Sequence, residues 1–236
     1  MSKKISNTAF ILAAGLGTRL RPYTNDRPKP LVEVNGKSLL TRTLDHLHNA
    51  NITNAVINTH YHADQIPAHL APRTDIKCIF SHEPELLDTG GGIKNTLSHF
   101  NGQPFFCLSG DGLWNGDALT HMKEAWNDNT MDILILLQPV SSMHLTQGIG
   151  DYDIDAQGRA TRSLDKSGQY MFTSIRINHP RIFDNTPNGA FSYLQCLDTA
   201  QAKGRLHAII HDNDWHHIST PKDLETVDAA YRETEA

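Results

Sequence analysis

Short apolar runs alternate with segments of helical spacing through the first half of the chain, and this alternation restricts the fold more than any other feature. The apolar runs are rich in β-branched and aromatic residues, have the length of buried strands, and lie at residues 8–12, 55–58, 76–80, 104–108 and 131–137. Helical spacing occurs at residues 38–50, 92–100 and 117–129. Because strands that alternate with helices form parallel sheets covered on both faces, we predict an α/β fold with a doubly wound, mostly parallel sheet.

The pattern changes near residue 150. Residues 151–158 show a polar and apolar alternation followed by a turn, and residues 170–177 form another candidate strand. We therefore expect a small antiparallel insertion at about residues 150–180, which makes the sheet mixed. Helical patterns return at residues 191–203 and 222–232. No linker or repeat interrupts the chain, so the sequence predicts one domain over residues 1–236, with the insertion as a small lid-like subregion.

Charge and composition argue against several classes of partner. The 236-residue chain carries 21 Lys+Arg against 26 Asp+Glu, a formal charge of −5, which argues against general binding to nucleic acid or to an anionic membrane. The cysteines are odd in number and lack metal-ligand spacing, which suits a reducing compartment. No run approaches the ~18 apolar residues of a membrane-spanning helix. We therefore expect a cytoplasmic protein, monomeric or homodimeric, that binds neither nucleic acid nor membrane.

The stretch LAAGLGTRLRPYTNDRPKP, which follows the first predicted strand, places glycines beside cations. Gly15 and Gly17 would let backbone N–H groups approach a phosphate closely, and Arg19 and Lys29 would supply positive charge. Leu20 occupies the third glycine position of the dinucleotide-binding pattern, and the glycine spacing of a Walker loop is not present. A glycine turn alone is a weak signal, but together with the cations it predicts a phosphate site.

Two further loops follow predicted strands, at the edge where open α/β sheets bind ligands. The triglycine segment at residues 88–92 indicates either a helix entry capped by Thr89 or close backbone contact with a flat base or sugar. Asp111, within residues 109–112, indicates either a turn or a carboxylate that holds Mg²⁺ against a triphosphate. Trp114, just beyond, is expected in the wall of the pocket.

These loops together resemble the signature of the sugar-1-phosphate nucleotidyltransferases. The matching segments are LAAGLGTRL at residues 12–20, Pro-Lys-Pro at 28–30, and residues 89–92, 110–111 and 215–221. The resemblance spans nearly the whole chain and implies a single catalytic domain over residues 1–236 with a Rossmann-like sheet, in which the insertion at about residues 150–180 is the sugar-binding subregion. The short length and the forms of the two later loops look most like a branch that joins UTP to N-acetylmuramic acid 1-phosphate in peptidoglycan recycling.

The resemblance implies that a sugar 1-phosphate attacks the α-phosphorus of a nucleoside triphosphate and releases pyrophosphate, with no covalent enzyme intermediate. Arg19 would grip the β- and γ-phosphates, Lys29 would contact the α-phosphate and the sugar phosphate, and Asp111 would bind the metal. The nucleotide site would comprise Leu12, Ala13, Ala14, Gly15, Gly17, Thr18, Arg19, Thr89 and Gly90. The expected cofactor is Mg²⁺, with Mn²⁺ as the alternative.

The C-terminal part departs from the family pattern. Many relatives carry Trp-x-Asp-x-Gly-Thr, whose Asp is the second metal ligand, whereas His217 stands at that position here. We expect either a metal-proximal imidazole, which would suit Mn²⁺ or a metal-bound water, or a structural side chain. Ser174 stands where relatives often have a sugar-contacting glycine. The other acceptor candidates, each equally compatible with a plain turn or a solvated charge, are Gly148, Gly150 and Asp165.

Three classes of function stay open at this point. The favoured one is a nucleotidyltransferase that uses UTP, with guanylyl transfer to mannose or heptose 1-phosphate, or CTP with a choline-like acceptor, as close variants. A dinucleotide-binding oxidoreductase is disfavoured by Leu20 and by the neighbouring cations. A catalytically silent nucleotide-sugar binding protein is motivated by His217 and Ser219. His60 and His62 lack the companions of a closed zinc site and are interpreted as structural.

Overall fold

The computed structural model of the protein describes residues 4–234. The strands within this range are β1 (Thr8–Leu12), β2 (Glu33–Val34), β3 (Lys37–Ser38), β4 (Asn54–Thr59), β5 (Lys77–His82), β6 (Phe105–Ser109), β7 (Leu113–Trp114), β8 (Ile133–Pro139), β9 (Tyr152–Ile154), β10 (Ala160–Arg162), β11 (Tyr170–Asn178), β12 (Leu206–Ile210) and β13 (Trp215–His216). The α-helices are α1 (Leu39–Asn49), α2 (Gln65–Leu70), α3 (Asp88–Lys94), α4 (Ala118–Ala125), α5 (Leu194–Ala202) and α6 (Pro221–Thr234). None of these helices has the length and apolar character needed to cross a membrane.

Nine of the described strands form one mixed sheet. Its order is β10-β9-β11-β6-β1-β4-β5, with β8 paired to β11 and β12 paired to β8. β1 pairs in parallel with β4 and with β6, and β4 pairs in parallel with β5. β1 and β8 are almost entirely buried, which is why they read as continuous apolar runs in the sequence. The prediction of a doubly wound α/β fold with a mostly parallel core and antiparallel additions is therefore confirmed.

The antiparallel part lies more centrally than the sequence suggested. β11 runs antiparallel between β6 and β8 inside the main sheet, and only the short hairpin of β9 and β10 lies at the edge. β11 pairs with β6 over residues 176–178, whereas it pairs with β8 on both sides of an irregularity between Phe172 and Arg176. β11 therefore parts from β6 at this bulge, close to the carboxyl end of β6.

Helix α3 begins at Asp88, earlier than the sequence predicted, so the three glycines lie inside the helix. An added Cβ on Gly90 would lie 2.3 Å from a ring carbon of Phe191, which no Cβ tolerates. Thr89 does not cap the helix, because its hydroxyl accepts a hydrogen bond from the N–H of Tyr193 at 3.0 Å. The glycines thus permit close packing of α3 against the segment that precedes α5.

Candidate functional site

A cleft of about 670 Å³ opens at the carboxyl ends of β1, β4, β5 and β6. This is the edge at which an open α/β sheet binds its ligands. Of the nucleotide-site and catalytic residues predicted from the sequence, the cleft is lined by Leu12, Ala13, Ala14, Gly15, Gly17, Thr18, Arg19, Lys29, Thr89 and Asp111. The structure therefore brings three loops that are distant in the sequence to one wall.

The loop after β1 is shaped around Gly17. Gly17 has a φ of +62°, and an added Cβ would lie 3.1 Å from Thr24 and 3.2 Å from Lys29, so glycine is strongly favoured there. The Thr24 hydroxyl donates a hydrogen bond to the Gly17 carbonyl at 2.8 Å. This turn leaves Thr18 and Arg19 exposed at the cleft. Within residues 4–234 the Arg19 guanidinium makes no hydrogen bond or ion pair, so its charge is available to an anion.

The segment between the two cations is held by the loop after β4. The Tyr61 hydroxyl lies 3.0 Å from the carbonyls of both Thr24 and Asn25, to which it donates. His60 and His62 each hydrogen-bond a backbone carbonyl. Among the described residues there is no group of three or more His, Cys, Asp or Glu side chains that could hold a metal ion. These contacts support the structural interpretation of the two histidines.

Lys29 and Asp111 form an ion pair inside the cleft, with 2.5 Å between Nζ and Oδ2. The hydroxyl of Ser109, at the end of β6, donates to the other carboxylate oxygen. Burial alone would raise the pKa of Asp111, but the charge and hydrogen bond of Lys29 and the hydrogen bond of Ser109 bring that pKa below its ordinary value. The Asp111 side chain is still 28% exposed, so an ionised carboxylate faces the cleft at neutral pH.

A buried polar relay supports the start of the loop, and the sequence analysis missed it. Asn58 in β4 and Glu83 after β5 both line the cleft, although each is only 2% exposed. The Asn58 carbonyl oxygen accepts from the Ala13 N–H at 2.7 Å, and its amide donates to Glu83 Oε1 at 2.8 Å. The N–H of Leu87 donates to Glu83 Oε2 at 3.0 Å. A polar residue at the carboxyl end of each of two neighbouring strands was the signal that could have revealed this relay.

His217 lies near the ion pair but not on the wall of the cleft, which Ser219 reaches instead. The His217 N–H donates to the Thr146 hydroxyl at 3.1 Å. Burial lowers the pKa of His217, and the Lys29 charge lowers it further, while Asp111 opposes both. The imidazole is therefore neutral at pH 7, in keeping with either of the roles expected from the sequence.

The fit of a divalent cation depends on Asp111. Nothing in residues 4–234 forms a closed metal site, so Asp111 and His217 do not make a protein cage for a metal. Mg²⁺ keeps several waters and binds through one or two carboxylates together with substrate phosphates. An ionised carboxylate beside the loop predicted to bind phosphate fits an ion that is shared with a triphosphate.

Three predicted glycines, Gly90, Gly148 and Gly150, lie outside the wall of the cleft. The Gly90 N–H donates to the Phe191 carbonyl at 2.9 Å and so is not free to contact a base. An added Cβ on Gly150 would lie 2.0 Å from the Gly168 carbonyl oxygen. Gly90 and Gly150 permit close packing, which demands the same missing Cβ as a ligand contact, and the ligand contacts of the three glycines stay predictions.

Asp165 and Trp114 are also absent from the wall of the cleft. Asp165 is exposed in the connection between β10 and β11, where it accepts hydrogen bonds from the Ser163 hydroxyl at 2.7 Å and the Ser167 N–H at 3.2 Å. This is the turn role of aspartate. Trp114 is 2% exposed and stacks on His46 with 4.2 Å between ring centroids. Its predicted place in the pocket wall was wrong, because β7 turns the indole into the core.

Of the four acceptor candidates, Ser174 alone lines the cleft. It lies at the bulge of β11, on the far side of β6 from β1. The cleft therefore has two ends: a β5 end, lined by Asn58, Glu83 and Thr89, and a β11 end, lined by Ser174. The Lys29 and Asp111 pair lies between them in the order of the strands.

Comparison with known proteins complements this geometry. Residues 8–234 match the family model described as nucleotidyl transferase. N-acetylmuramate alpha-1-phosphate uridylyltransferase of Caulobacter vibrioides is 35% identical over 226 residues, which cover 91% of this chain and 92% of that protein. HddC from Yersinia pseudotuberculosis, solved in complex with GMP-PN, gives a TM-score of 0.77 at 25% identity over 95% of this chain and 99% of that one. A putative glucose-1-phosphate thymidylyltransferase from Bacillus anthracis gives a TM-score of 0.81 at 18% identity, covers 97% of this chain and 96% of that one, and shows the shared fold.

Proposed function

This chain belongs to the nucleotidyl transferase family and is a sugar-1-phosphate nucleotidyltransferase; we propose that it joins UTP to N-acetylmuramic acid 1-phosphate. The observation that carries the proposal is the Lys29 and Asp111 pair beside the unpartnered Arg19, in a cleft at the carboxyl ends of parallel strands. Two cations and a carboxylate suit the joining of two polyanions. The uridylyl donor and muramic acceptor are supported by the identity to the Caulobacter relative.

The proposed reaction forms one P–O bond and breaks another. An oxygen of the sugar 1-phosphate attacks the α-phosphorus, the bond to the bridging oxygen breaks, and pyrophosphate leaves with the electron pair. The nucleophile needs no general base, because the second pKa of a phosphomonoester is about 6 and the group is already ionised at pH 7. The task of the protein is to hold two mutually repelling anions together and to stabilise the charge that develops on the leaving group.

The residues of the cleft divide this task. Arg19 binds the β- and γ-phosphates, and Lys29 contacts the α-phosphate together with the incoming sugar phosphate. Backbone N–H groups from Gly15 to Thr18 approach the triphosphate, since the glycines leave that face of the loop open. Because Asp111 attracts the Lys29 ammonium, the cation is directed into the cleft before the substrates arrive.

Mg²⁺ is the typical cofactor of the family, and Asp111 would hold it. When bound, the ion supplies positive charge that stabilises the negative charge of the transferring phosphates. His217 is neutral and close enough for the Asp111 charge to affect its pKa, which suits a place beside the water shell of the ion. Mn²⁺ is the alternative, because it accepts imidazole more readily.

The β5 end of the cleft would receive the base and ribose. The buried Glu83 carboxylate there would repel phosphate, whereas it can accept a hydrogen bond from a base N–H. We place the reaction in the cytoplasm, which fits the three free thiols of the chain. Guanylyl transfer to mannose or heptose 1-phosphate is the second candidate, favoured by the likeness to HddC in complex with GMP-PN.

The proposal is tested by pyrophosphate release from purified protein with Mg²⁺ or Mn²⁺. UTP, GTP, CTP and dTTP are each combined with N-acetylmuramic acid, N-acetylglucosamine, glucose and mannose 1-phosphates, with Lys29→Ala as the inactive control. We expect the highest kcat/KM with UTP and N-acetylmuramic acid 1-phosphate. Preference for GTP with mannose 1-phosphate would favour the second candidate. Nucleotide binding without release from any pair would indicate a silent nucleotide-sugar binding protein.

A further inference from the structure

Ser174 holds a backbone conformation that its side chain disfavours. Its φ is +66°, in the left-handed region that residues with a Cβ rarely adopt and that glycine adopts freely. The residue lies at the bulge where β11 parts from β6, and it lines the cleft. A conformation of this kind persists where the surrounding structure enforces it, and such conformations cluster at functional sites.

The buried side chain of Arg176 holds Ser174 in this conformation. Arg176 is only 2% exposed, and its Nη1 donates to the Ser174 carbonyl at 2.9 Å. The Arg176 guanidinium carbon lies 4.0 Å from the ring centroid of Tyr193, so the cation is held over an aromatic face. On the other flank, the Thr173 hydroxyl donates to the Leu136 carbonyl at 2.8 Å. The bulge is therefore fixed on both sides of Ser174.

The charge of Arg176 has no acidic partner. It forms no ion pair with any carboxylate of residues 4–234, and its Nε has no hydrogen-bond acceptor there. An arginine buried for stability alone is ordinarily paired, because an isolated buried charge is costly. A contact with the Ser174 carbonyl is thus the main directional interaction of this side chain.

The Ser174 hydroxyl is free. It makes no hydrogen bond with any described residue, although the side chain is half-buried at the wall of the cleft. Glycine would fill this backbone position without strain, so the serine is not explained by local conformation. What serine adds is one hydroxyl that can donate and accept a hydrogen bond.

The position of the hydroxyl indicates which substrate it meets. Ser174 lies at the β11 end, separated from Glu83 and Thr89 at the β5 end by the strands that carry the phosphate loop and Asp111. A nucleoside triphosphate that follows the loop from the β5 end would bring its α-phosphate to Lys29. The space beyond Asp111, at Ser174, is then left for the acceptor.

We propose that Ser174 is a specificity-determining residue for the acceptor, whose hydroxyl hydrogen-bonds an oxygen on a ring substituent of the sugar 1-phosphate, and that Arg176 is the buried positioning residue that holds Ser174 in place. The inference rests on the proposed function. It adds a residue type and a backbone conformation that together select the sugar at the β11 end of the cleft.

Two variants of Ser174 separate the strain from the hydroxyl. Ser174→Gly relieves the strain and removes the hydroxyl, so its melting temperature should rise while KM for the acceptor increases about three- to tenfold, the value of one hydrogen bond. Ser174→Ala keeps the Cβ and removes the hydroxyl, so KM for the acceptor should increase equally without a rise in melting temperature. KM for UTP should stay unchanged in both variants.

Arg176 is tested by Arg176→Lys beside Arg176→Met. Lysine retains a donor for the Ser174 carbonyl and methionine does not. KM for the acceptor should therefore rise less in Arg176→Lys than in Arg176→Met, and KM for UTP should change little in either variant. A purely structural arginine would change stability in both variants and leave the ratio of the two KM values as it is. Equal shifts in KM for UTP and acceptor would overturn the positioning role.

The wild-type protein is measured first, so that the two proposals fail separately. Absence of turnover with every substrate pair would refute the proposed function. Calorimetric binding of N-acetylmuramic acid 1-phosphate and of glucose 1-phosphate needs no turnover and tests Ser174 in either case. Unchanged acceptor KM and unchanged acceptor affinity in both Ser174→Gly and Ser174→Ala would refute the role of Ser174 while leaving the proposed function intact.

Discussion

The two ends of the cleft are constructed in different ways. At the β5 end, buried side chains hold backbone groups in place: Glu83 orients Asn58, and Asn58 accepts from the N–H of Ala13. At the β11 end, the half-buried Ser174 hydroxyl is presented by a strained bulge, whose backbone carbonyl accepts a hydrogen bond from the buried Arg176. We infer from this difference that binding of the triphosphate depends on local loops and strand ends. Selection of the sugar would instead depend on the Ser174 side chain, which tertiary contacts position.

The largest effect should come from the centre of the cleft, which both ends share. Lys29→Ala removes the cation that we propose contacts both reacting phosphates, and we expect kcat to fall about 10²- to 10³-fold, as for loss of one oxyanion donor. The matched control is Lys37→Ala, because Lys37 pairs with Asp45 at the surface and is 46% exposed. Pyrophosphate release should show near wild-type kcat for the control. A Lys29→Ala enzyme within tenfold of wild type would contradict the assignment.

At the β5 end, Asn58→Ala should affect the donor more than the acceptor. The variant leaves the Ala13 N–H and the Glu83 carboxylate without their partner, so we expect about 1–3 kcal/mol of lost stability and a raised KM for UTP. Thermal unfolding and steady-state kinetics measure the two effects. Asn58→Asp keeps an acceptor for Ala13 but sets a second buried carboxylate against Glu83, so it should not recover these losses. If KM for the acceptor rose as much as KM for UTP, the assignment of the β5 end to the donor alone would be wrong.

Two glycine substitutions compare Gly15, which is predicted to let a ligand approach the backbone, with Gly150, which permits close packing. An added Cβ on Gly15 meets nothing within 4 Å, whereas one on Gly150 would meet the Gly168 carbonyl at 2.0 Å. Gly150→Ala should therefore cost about 1–3 kcal/mol of stability through overpacking. Gly15→Ala should leave the melting temperature unchanged and lower kcat/KM for UTP, because the Cβ occupies space meant for phosphate. The reverse pattern would assign the ligand contact to Gly150.

The smallest effect is expected for Asp165→Ala. The side chain is exposed and serves a turn through Ser163 and Ser167, so stability should fall by less than about 1 kcal/mol and both KM values should stay within about twofold of wild type. Kinetics with the preferred substrate pair measure this. A selective rise in KM for the sugar phosphate would indicate that Asp165 contacts the acceptor and would argue against Ser174 as the main residue that selects it.

The same contrast explains what the sequence could predict. The place of the glycine and cation loop at the cleft could be predicted because its glycines and cations are close together in the sequence, and because it follows a strand that is buried enough to be recognised as one. Asn58 and Glu83 were missed because each is a single polar residue, and their pairing exists only after β4 and β5 lie side by side. Their positions at the carboxyl ends of two predicted strands were visible in the sequence, but their hydrogen bond to each other was not.

The glycines and the strand that carries Ser174 have a related explanation. Gly90, predicted at the nucleotide, and Gly150, predicted at the sugar, each make room for a backbone or ring from a remote segment. The strand that carries Ser174 was expected in an insertion, and it instead pairs antiparallel inside the main sheet. Sequence patterns identify a glycine or a strand, but they do not specify what packs against it.

The central claim is that Lys29 and Asp111 act as one unit on the reacting phosphates, and a double-mutant cycle on pyrophosphate release tests it most directly. The wild type, Lys29→Met, Asp111→Asn and the double variant are compared at saturating UTP, acceptor and Mg²⁺. If the two residues serve the same transition state, the double variant should lose little more activity than the more damaging single variant. Losses that multiply across the two sites, or near wild-type rates in either single variant, would contradict the account.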